Sequence, residues 1–206
     1  MLRMFILSCV VGVGLSAVGC APSLGKSLHV SIPLPASPER LVDRRAQLMP
    51  VTVSKVRDSR PVPELAEIDG RVVPPAFNVG FEVEKALRAG LKDSDMTLSE
   101  FSKSRVQVEI TEWFANVVVD FPSSVADARA ELSLQVYDGD NQLRYRGLFS
   151  GAAFQEHPYL DKAKVEDTLG RAMSEAVNEL VVDLGSYVAS RTKDDSLNSY
   201  SSDTAQ

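Results

Sequence analysis

The sequence predicts a two-layer α+β sandwich, in the order strand-helix-strand-strand-strand-helix. Two helices pack on one face of a mainly antiparallel sheet. Three patterns predict it: two segments with a single apolar stripe at helical spacing, three long segments that alternate with period two, and a turn signal joining the last two of these. Two one-sided helices and a one-sided sheet bury their apolar faces only by packing together. The 206 residues, with 44% hydrophobic side chains, suffice for one ordinary domain with a real core. The formal charge of −6 argues against nucleic acid, which demands clustered Lys and Arg.

The elements follow in chain order. Residues 1–19 form a signal peptide: Arg3 gives one positive charge, then Met4 to Gly19 carries none. This run holds three glycines and is short for a membrane-spanning helix. Ala17-Val18-Gly19-Cys20 resembles the bacterial lipobox, in which the cysteine becomes the lipid-bearing first residue. That resemblance implies lipidation of Cys20 with palmitate-type acyl chains, and more than one chain makes a stable anchor. Ala21 in place of Asp favours the outer membrane of a Gram-negative cell, facing the periplasm. Processing removes Arg3 and Cys9, so the mature chain is more acidic and has no free thiol for a disulfide.

Residues 20–47 read as the lipidated cysteine and a Pro-rich tether, with Pro22, Pro33, Pro35 and Pro38, and with a short edge strand over His29 to Leu34. The folded domain is expected over 48–190 and a disordered polar tail over 191–206, where aliphatics almost vanish. Pro50 to Asp58 alternates through Val51 and Val53 until Val56 breaks the pattern, which predicts a first strand. Ser59 to Pro75 is a loop in which Asp69-Gly70 marks a small hairpin. Asn78 caps a helix to about Lys92, its stripe being Val83, Ala86, Leu87, Gly90 and Leu91, extended by Phe77 and Phe81. Arg105 to Asp120 is a long strand. Its apolar phase shifts from Val106, Val108 and Ile110 to Trp113, Ala115, Val117 and Val119, which predicts a bulge near Thr111–Trp113.

Ala128, Ala130, Leu132, Leu134 and Val136 face one way on the next strand, and Leu143, Tyr145, Gly147, Phe149, Gly151 and Ala153 on the one after. Asp138-Gly139-Asp140-Asn141 turns between them. With Gly139-Asp140 as a two-residue turn, Val136 faces Leu143, Leu134 faces Tyr145, Leu132 faces Gly147 and Ala130 faces Phe149. Gln135 then meets Arg144, and Ser133 meets Arg146. Lys164 to Ser190 is the last helix, with Val165, Leu169, Ala172, Met173, Ala176, Val177, Leu180, Leu184 and Val188 as its stripe. Gly170 weakens it by about 1 kcal/mol relative to Ala.

This order behind a lipobox resembles the YajG-like family of bacterial outer-membrane lipoproteins, from Leu28 to about Gly185. The residues that carry the resemblance are Val51-Thr52-Val53-Ser54 with Asp58-Ser59-Arg60, the helix Val83 to Leu91, Val106-Gln107-Val108-Glu109-Ile110, the strand Ala128 to Val136, and Ala172-Met173-Ser174-Glu175-Ala176-Val177. The architecture is also similar, more distantly, to LptE-like lipopolysaccharide-assembly lipoproteins and to TolB-type amino-terminal domains. The resemblance implies a fold and a cellular address.

Chemistry is sparse. His29 and His157 are the two histidines, too few for a His-based metal site, so no metal and no cofactor are expected. With no free Cys in the mature chain, no Gly-x-Ser-x-Gly elbow and no placed carboxylate pair, catalysis is not expected. Candidates for partner binding are Arg129, Arg144 and Arg146 with Glu131 on the outer sheet face, and Trp113 and Phe121 beside the bulged strand. Val117-Val118-Val119 is apolar on both faces, which marks a strand buried on both sides or a contact surface. The expected function is a non-catalytic, membrane-anchored binding or accessory module of a cell-envelope complex with a protein partner. The alternative is an accessory factor in lipid or lipopolysaccharide transport.

Overall fold

The computed structural model describes residues 26–33, 50–120 and 122–202. Its elements are β1 (Val51–Val53), β2 (Arg57–Asp58), β3 (Ala66–Ile68), β4 (Arg71–Val73), α1 (Val79–Asp93), β5 (Ser104–Val118), β6 (Ser124–Tyr137), β7 (Leu143–His157) and α2 (Lys162–Ser202). The strands make one seven-stranded sheet in the order β4-β3-β5-β6-β7, with β1 and β2 also on β5. The long strands β5, β6 and β7 form an antiparallel meander, whereas β1, β2 and β3 run parallel to β5 in series along its other edge. The expected α+β sandwich is therefore present, with a mixed sheet.

The first predicted strand is two. Val53 pairs with Val106 but Arg57 with Glu109, so four steps on one side match three on the other. The extra residue lets Val56 turn into the core, where it is buried, and this is the broken alternation seen in the sequence. At the β3–β4 hairpin Ile68 pairs with Arg71, and Asp69 (φ 47°) and Gly70 (φ 77°) both take the left-handed backbone of a type I′ turn.

Asn78 caps α1 as expected, its Oδ1 accepting from the Phe81 N–H at 3.0 Å. The stripe Val83, Ala86, Leu87, Gly90 and Leu91 is buried. Phe81 is not part of it: the ring points to solvent, and Val79 takes the inward place. The β5 bulge lies between Ile110 and Glu112, and Thr111 hydrogen-bonds to the carbonyl and carboxylate of Glu131.

The β6–β7 turn is where predicted, but the register differs by two residues. Val136 pairs with Tyr145, Leu134 with Gly147, Leu132 with Phe149, Ala130 with Gly151, Gln135 with Arg146 and Ser133 with Leu148. The turn is longer than two residues because Asp138 organises it. Its carboxylate accepts from the N–H groups of Asp140 and Gln142, its own N–H bonds to the Gln142 carbonyl, and Asn141 rather than Gly139 holds the positive φ of 60°. A shift of two keeps every side chain on its predicted face, so the core survives the error. Leu143 alone pokes out beyond it, half-exposed at the turn.

On α2 the whole predicted stripe is buried, from Val165 to Val188. Asp161 caps the start, accepting from the Lys164 N–H at 2.9 Å. The helical backbone continues to Ser202, past the point where a disordered tail was expected. No Gly or Pro between Ser186 and Ser202 interrupts it.

Residues 26–33 are not a free tether or a strand. Leu28 bridges Pro75 through two backbone hydrogen bonds, with the Pro74 carbonyl and the Ala76 N–H. Leu28 and Val30 are buried. The segment then crosses α2, where the Pro33 carbonyl accepts from Ser174 Oγ at 2.8 Å. A Cβ on Gly170 would lie 2.4 Å from the Ser31 carbonyl oxygen, so Gly170 is there for this crossing. The rest of the predicted tether, 34–47, lies outside the described residues.

Candidate functional site

Both helices cover one face of the sheet, and the other face is open. Alternation along β5, β6 and β7 sends every second side chain onto it. Cross-strand rows run Asn116–Asp127–Phe154, Phe114–Arg129–Ala152, Glu112–Glu131–Ser150, Glu109–Ser133–Leu148 and Gln107–Gln135–Arg146. Leu148 and Phe154 are 62% and 60% exposed there. Val118 on β5 and Val72 on β4 add further exposed apolar surface.

The predicted arginines share this face without forming one patch. Arg144 and Arg146 stand together at the turn end, Arg144 held by Asp138, whose carboxyl is pulled below its usual range by the Gln142 N–H first and by Arg144 second. Arg129 sits level with Ala152, six residues beyond Arg146 and so roughly 20 Å away. Its carboxylate neighbour is Asp127 at 3.7 Å. Around it a cleft of about 400 Å³ is lined by Glu112, Glu131, Glu175 and Glu179 over Ser150 to Ala152. β7 is thus basic at its turn end and acidic around its middle.

Trp113 belongs to the core, and its predicted contact role is corrected. It is 1% exposed, donates from Nε1 to the Leu169 carbonyl at 3.0 Å, and meets the Phe77 ring edge-on at 6.1 Å. The bulge explains the change: it turns the phase of β5 so that Trp113 points inward between sheet and α2. Val117 likewise is buried while Val118 is half-exposed. Phe121 and Cys20 lie outside the described residues.

Sequence reasoning assigned no role to Arg60. Its side chain is 2% exposed, though it lines an open cleft of about 590 Å³ between the β2–β3 loop and the start of α1. Nε and one NH2 group clamp both oxygens of Asp58, at 2.8 and 2.9 Å. The remaining hydrogens go to the carbonyls of Pro63, Glu64 and Trp113. This guanidinium is consumed in holding the long loop to β5. The Asp-x-Arg spacing between two strands was the available signal. Gly80 closes the neighbouring contact, since a Cβ there would stand 2.9 Å from the Val56 carbonyl oxygen.

His157 sits at the end of β7, its Nδ1 within reach of the Tyr159 N–H and of Lys164 Nζ. His29 bonds through its backbone to Glu166. Among the described residues, no three His, Cys, Asp or Glu side chains gather as metal ligands, and no helix is long and apolar enough to cross a membrane.

A family model described as "uncharacterized lipoprotein" matches residues 42–184, most of the chain. This chain belongs to that lipoprotein family. No match was found among curated proteins. Among solved structures the lipoprotein is similar to a Xanthomonas campestris protein, with 17% identity, a TM-score of 0.55, and coverage of 83% of this chain and 97% of that one. A hypothetical protein from Chlamydia trachomatis shares 12% identity with a TM-score of 0.48, over 69% of this chain and 99% of that one. A minor lipoprotein from Acinetobacter baumannii shares 11% with a TM-score of 0.38, over 66% and 92%. At these identities the Xanthomonas likeness speaks for the fold of the lipoprotein and no further.

Proposed function

We propose that this lipoprotein is a non-catalytic binding or accessory module of a cell-envelope complex. It is held by acyl chains on Cys20 at the outer membrane, faces the periplasm, and is of the YajG-like kind of lipoprotein. The observation that carries the reading is the open sheet face. Three long strands stand rigid on a packed core, and their far side, with Leu148, Phe154 and Val118, is covered by nothing of the described chain.

The attachment point supports the same reading. Leu28 is fixed against Pro75, at the β4 side of the sheet and close to the start of α1. Eight residue steps separate it from Cys20, a reach of at most about 28 Å. The body is therefore kept near the bilayer. Confinement to a surface raises the effective concentration of weak partners.

The test is to crosslink intact cells, purify the protein in mild detergent and identify by mass spectrometry what accompanies it. One abundant envelope protein supports the accessory reading. A stoichiometric lipid beyond the anchor, with no protein, overturns it in favour of lipid or lipopolysaccharide handling, for which the cleft beside Lys55, Arg57 and Phe77 is the place to look.

A further inference from the structure

β7 is the last strand on its side of the sheet, 15 residues long and without a bulge from Tyr145 to His157. It carries no Pro and no Lys, the usual guards of an edge. Two side chains of α2 show which backbone groups face outward. Glu175 accepts from the Ala152 N–H at 2.9 Å, and Arg171 donates to the Phe154 carbonyl at 3.2 Å. Backbone groups alternate along a strand, so the even-numbered residues from Arg144 to Glu156 all turn N–H and C=O away from β6. At Arg146, Leu148 and Ser150, no hydrogen bond within the described residues meets these groups.

We infer that a second copy of this chain pairs with the β7 edge, antiparallel and two-fold symmetric about Ser150. The edge is self-complementary, as an isologous interface requires. Reversal about Ser150 sets Arg144 against Glu156 of the second copy, Arg146 against Phe154, and Leu148 against Ala152, all on the open face. Guanidinium over a phenyl ring and guanidinium beside a carboxylate are both favourable neighbours across strands.

Pairing exchanges two contacts that α2 makes with this edge, Glu175 with the Ala152 N–H and Arg171 with the Phe154 carbonyl, for strand-to-strand hydrogen bonds. Asp138 takes the Nε hydrogen of Arg144, which leaves its two NH2 groups for another acceptor, and Glu156 is exposed, with Ser123 its hydrogen-bond partner among the described residues. Glu175, released from Ala152, comes beside Leu148 and Arg146 of the second copy. A two-fold axis normal to the sheet also keeps both helix faces on one side. Both Leu28 attachment points then lie at the far β4 edges, and both lipids reach one leaflet.

The inference rests on backbone and charge pattern and holds whether or not a different envelope protein binds the open face. The test uses the full lipidated chain, in cells and in mild detergent, with Ser150→Cys as the one free thiol and a short bis-maleimide crosslinker. The expected result is a crosslinked homodimer at Ser150→Cys, at least tenfold more abundant than with Glu67→Cys on the same face. Arg144→Glu lowers its yield at least fivefold, and the double variant Arg144→Glu/Glu156→Arg restores it. Equal yields at both cysteines, a crosslink only to a different protein, or no rescue by the charge swap would overturn the inference.

Discussion

At the scale of single residues, Asp58 and Arg60 decide how the long β2–β3 loop is held. The Arg60 guanidinium beside Asp58 holds that carboxyl below its ordinary value of 3.8, against the opposing effect of partial burial. A depressed carboxylate contributes stability that is full above its unfolded pKa and is lost as pH falls through the folded value. The contribution is therefore intact at neutral pH, begins to fall below about pH 4 and is lost as pH drops through the lower folded value. Asp58→Asn leaves a buried cation without its anion and should cost about 1–3 kcal/mol at pH 7, read as a lower midpoint in urea. The gap between variant and parent should close in the same titration carried below pH 4. Tyr145 is the opposite case. Its hydroxyl donates to Asp183, which with burial raises its pKa to about 12. A raised tyrosine stabilises below pH 10 and loses that contribution as pH climbs towards 12, so Tyr145→Phe should flatten the alkaline limb of a thermal-melt series.

At the scale of elements, contacts between helix and sheet run through glycines. A Cβ on Gly151 would stand 2.0 Å from the Ala172 carbonyl oxygen and 2.7 Å from the Ala176 nitrogen, both backbone atoms of α2. A Cβ on Gly147 would meet only the Phe149 ring and the Tyr145 hydroxyl, which can swing aside. Gly151→Val should therefore cost about 3 kcal/mol and Gly147→Ala about 1 kcal/mol, measured by the same urea melts. Gly170→Ala sets two effects against each other. Helix propensity favours it by about 1 kcal/mol, while the Ser31 carbonyl stands in the way. The expected outcome is faster amide exchange over residues 28–33 with no rise in melting temperature. A higher melting temperature with unchanged exchange would show that the crossing yields at no cost.

The same scale shows what could be read from the chain in advance. Periods of two and 3.6 report which face is buried, so both stripes, the β5 bulge and the two hairpins were legible. Register across the Asp138 turn was not, because a two-residue slip preserves every face. Trp113 was misassigned as a contact residue, although the predicted bulge sets it on the buried side with Ala115 and Val117. The free edge of β7 was hidden altogether: alternation describes faces, and says nothing of which strand has only one neighbour.

At the scale of the whole molecule, membership of a lipoprotein family and the lipobox sequence at Cys20 converge on a membrane-anchored protein. Leu28 is fixed by backbone hydrogen bonds beside Pro75, and the sheet face away from the helices is left open. The lipoprotein nature was legible because a lipobox is read as linear sequence. The candidate interaction face was only half legible, since Arg144 and Arg146 stand together while Arg129 lies beside the acidic cleft at the middle of β7. The most direct measurement is mass spectrometry of the amino-terminal peptide from protein recovered in the outer-membrane fraction, for the parent and for Cys20→Ser. The account predicts a chain beginning at an acylated Cys20 in the parent, and loss of membrane association in the variant after a high-salt wash. A parent chain cut elsewhere without acyl chains, or a variant that stays in the outer membrane, would contradict it.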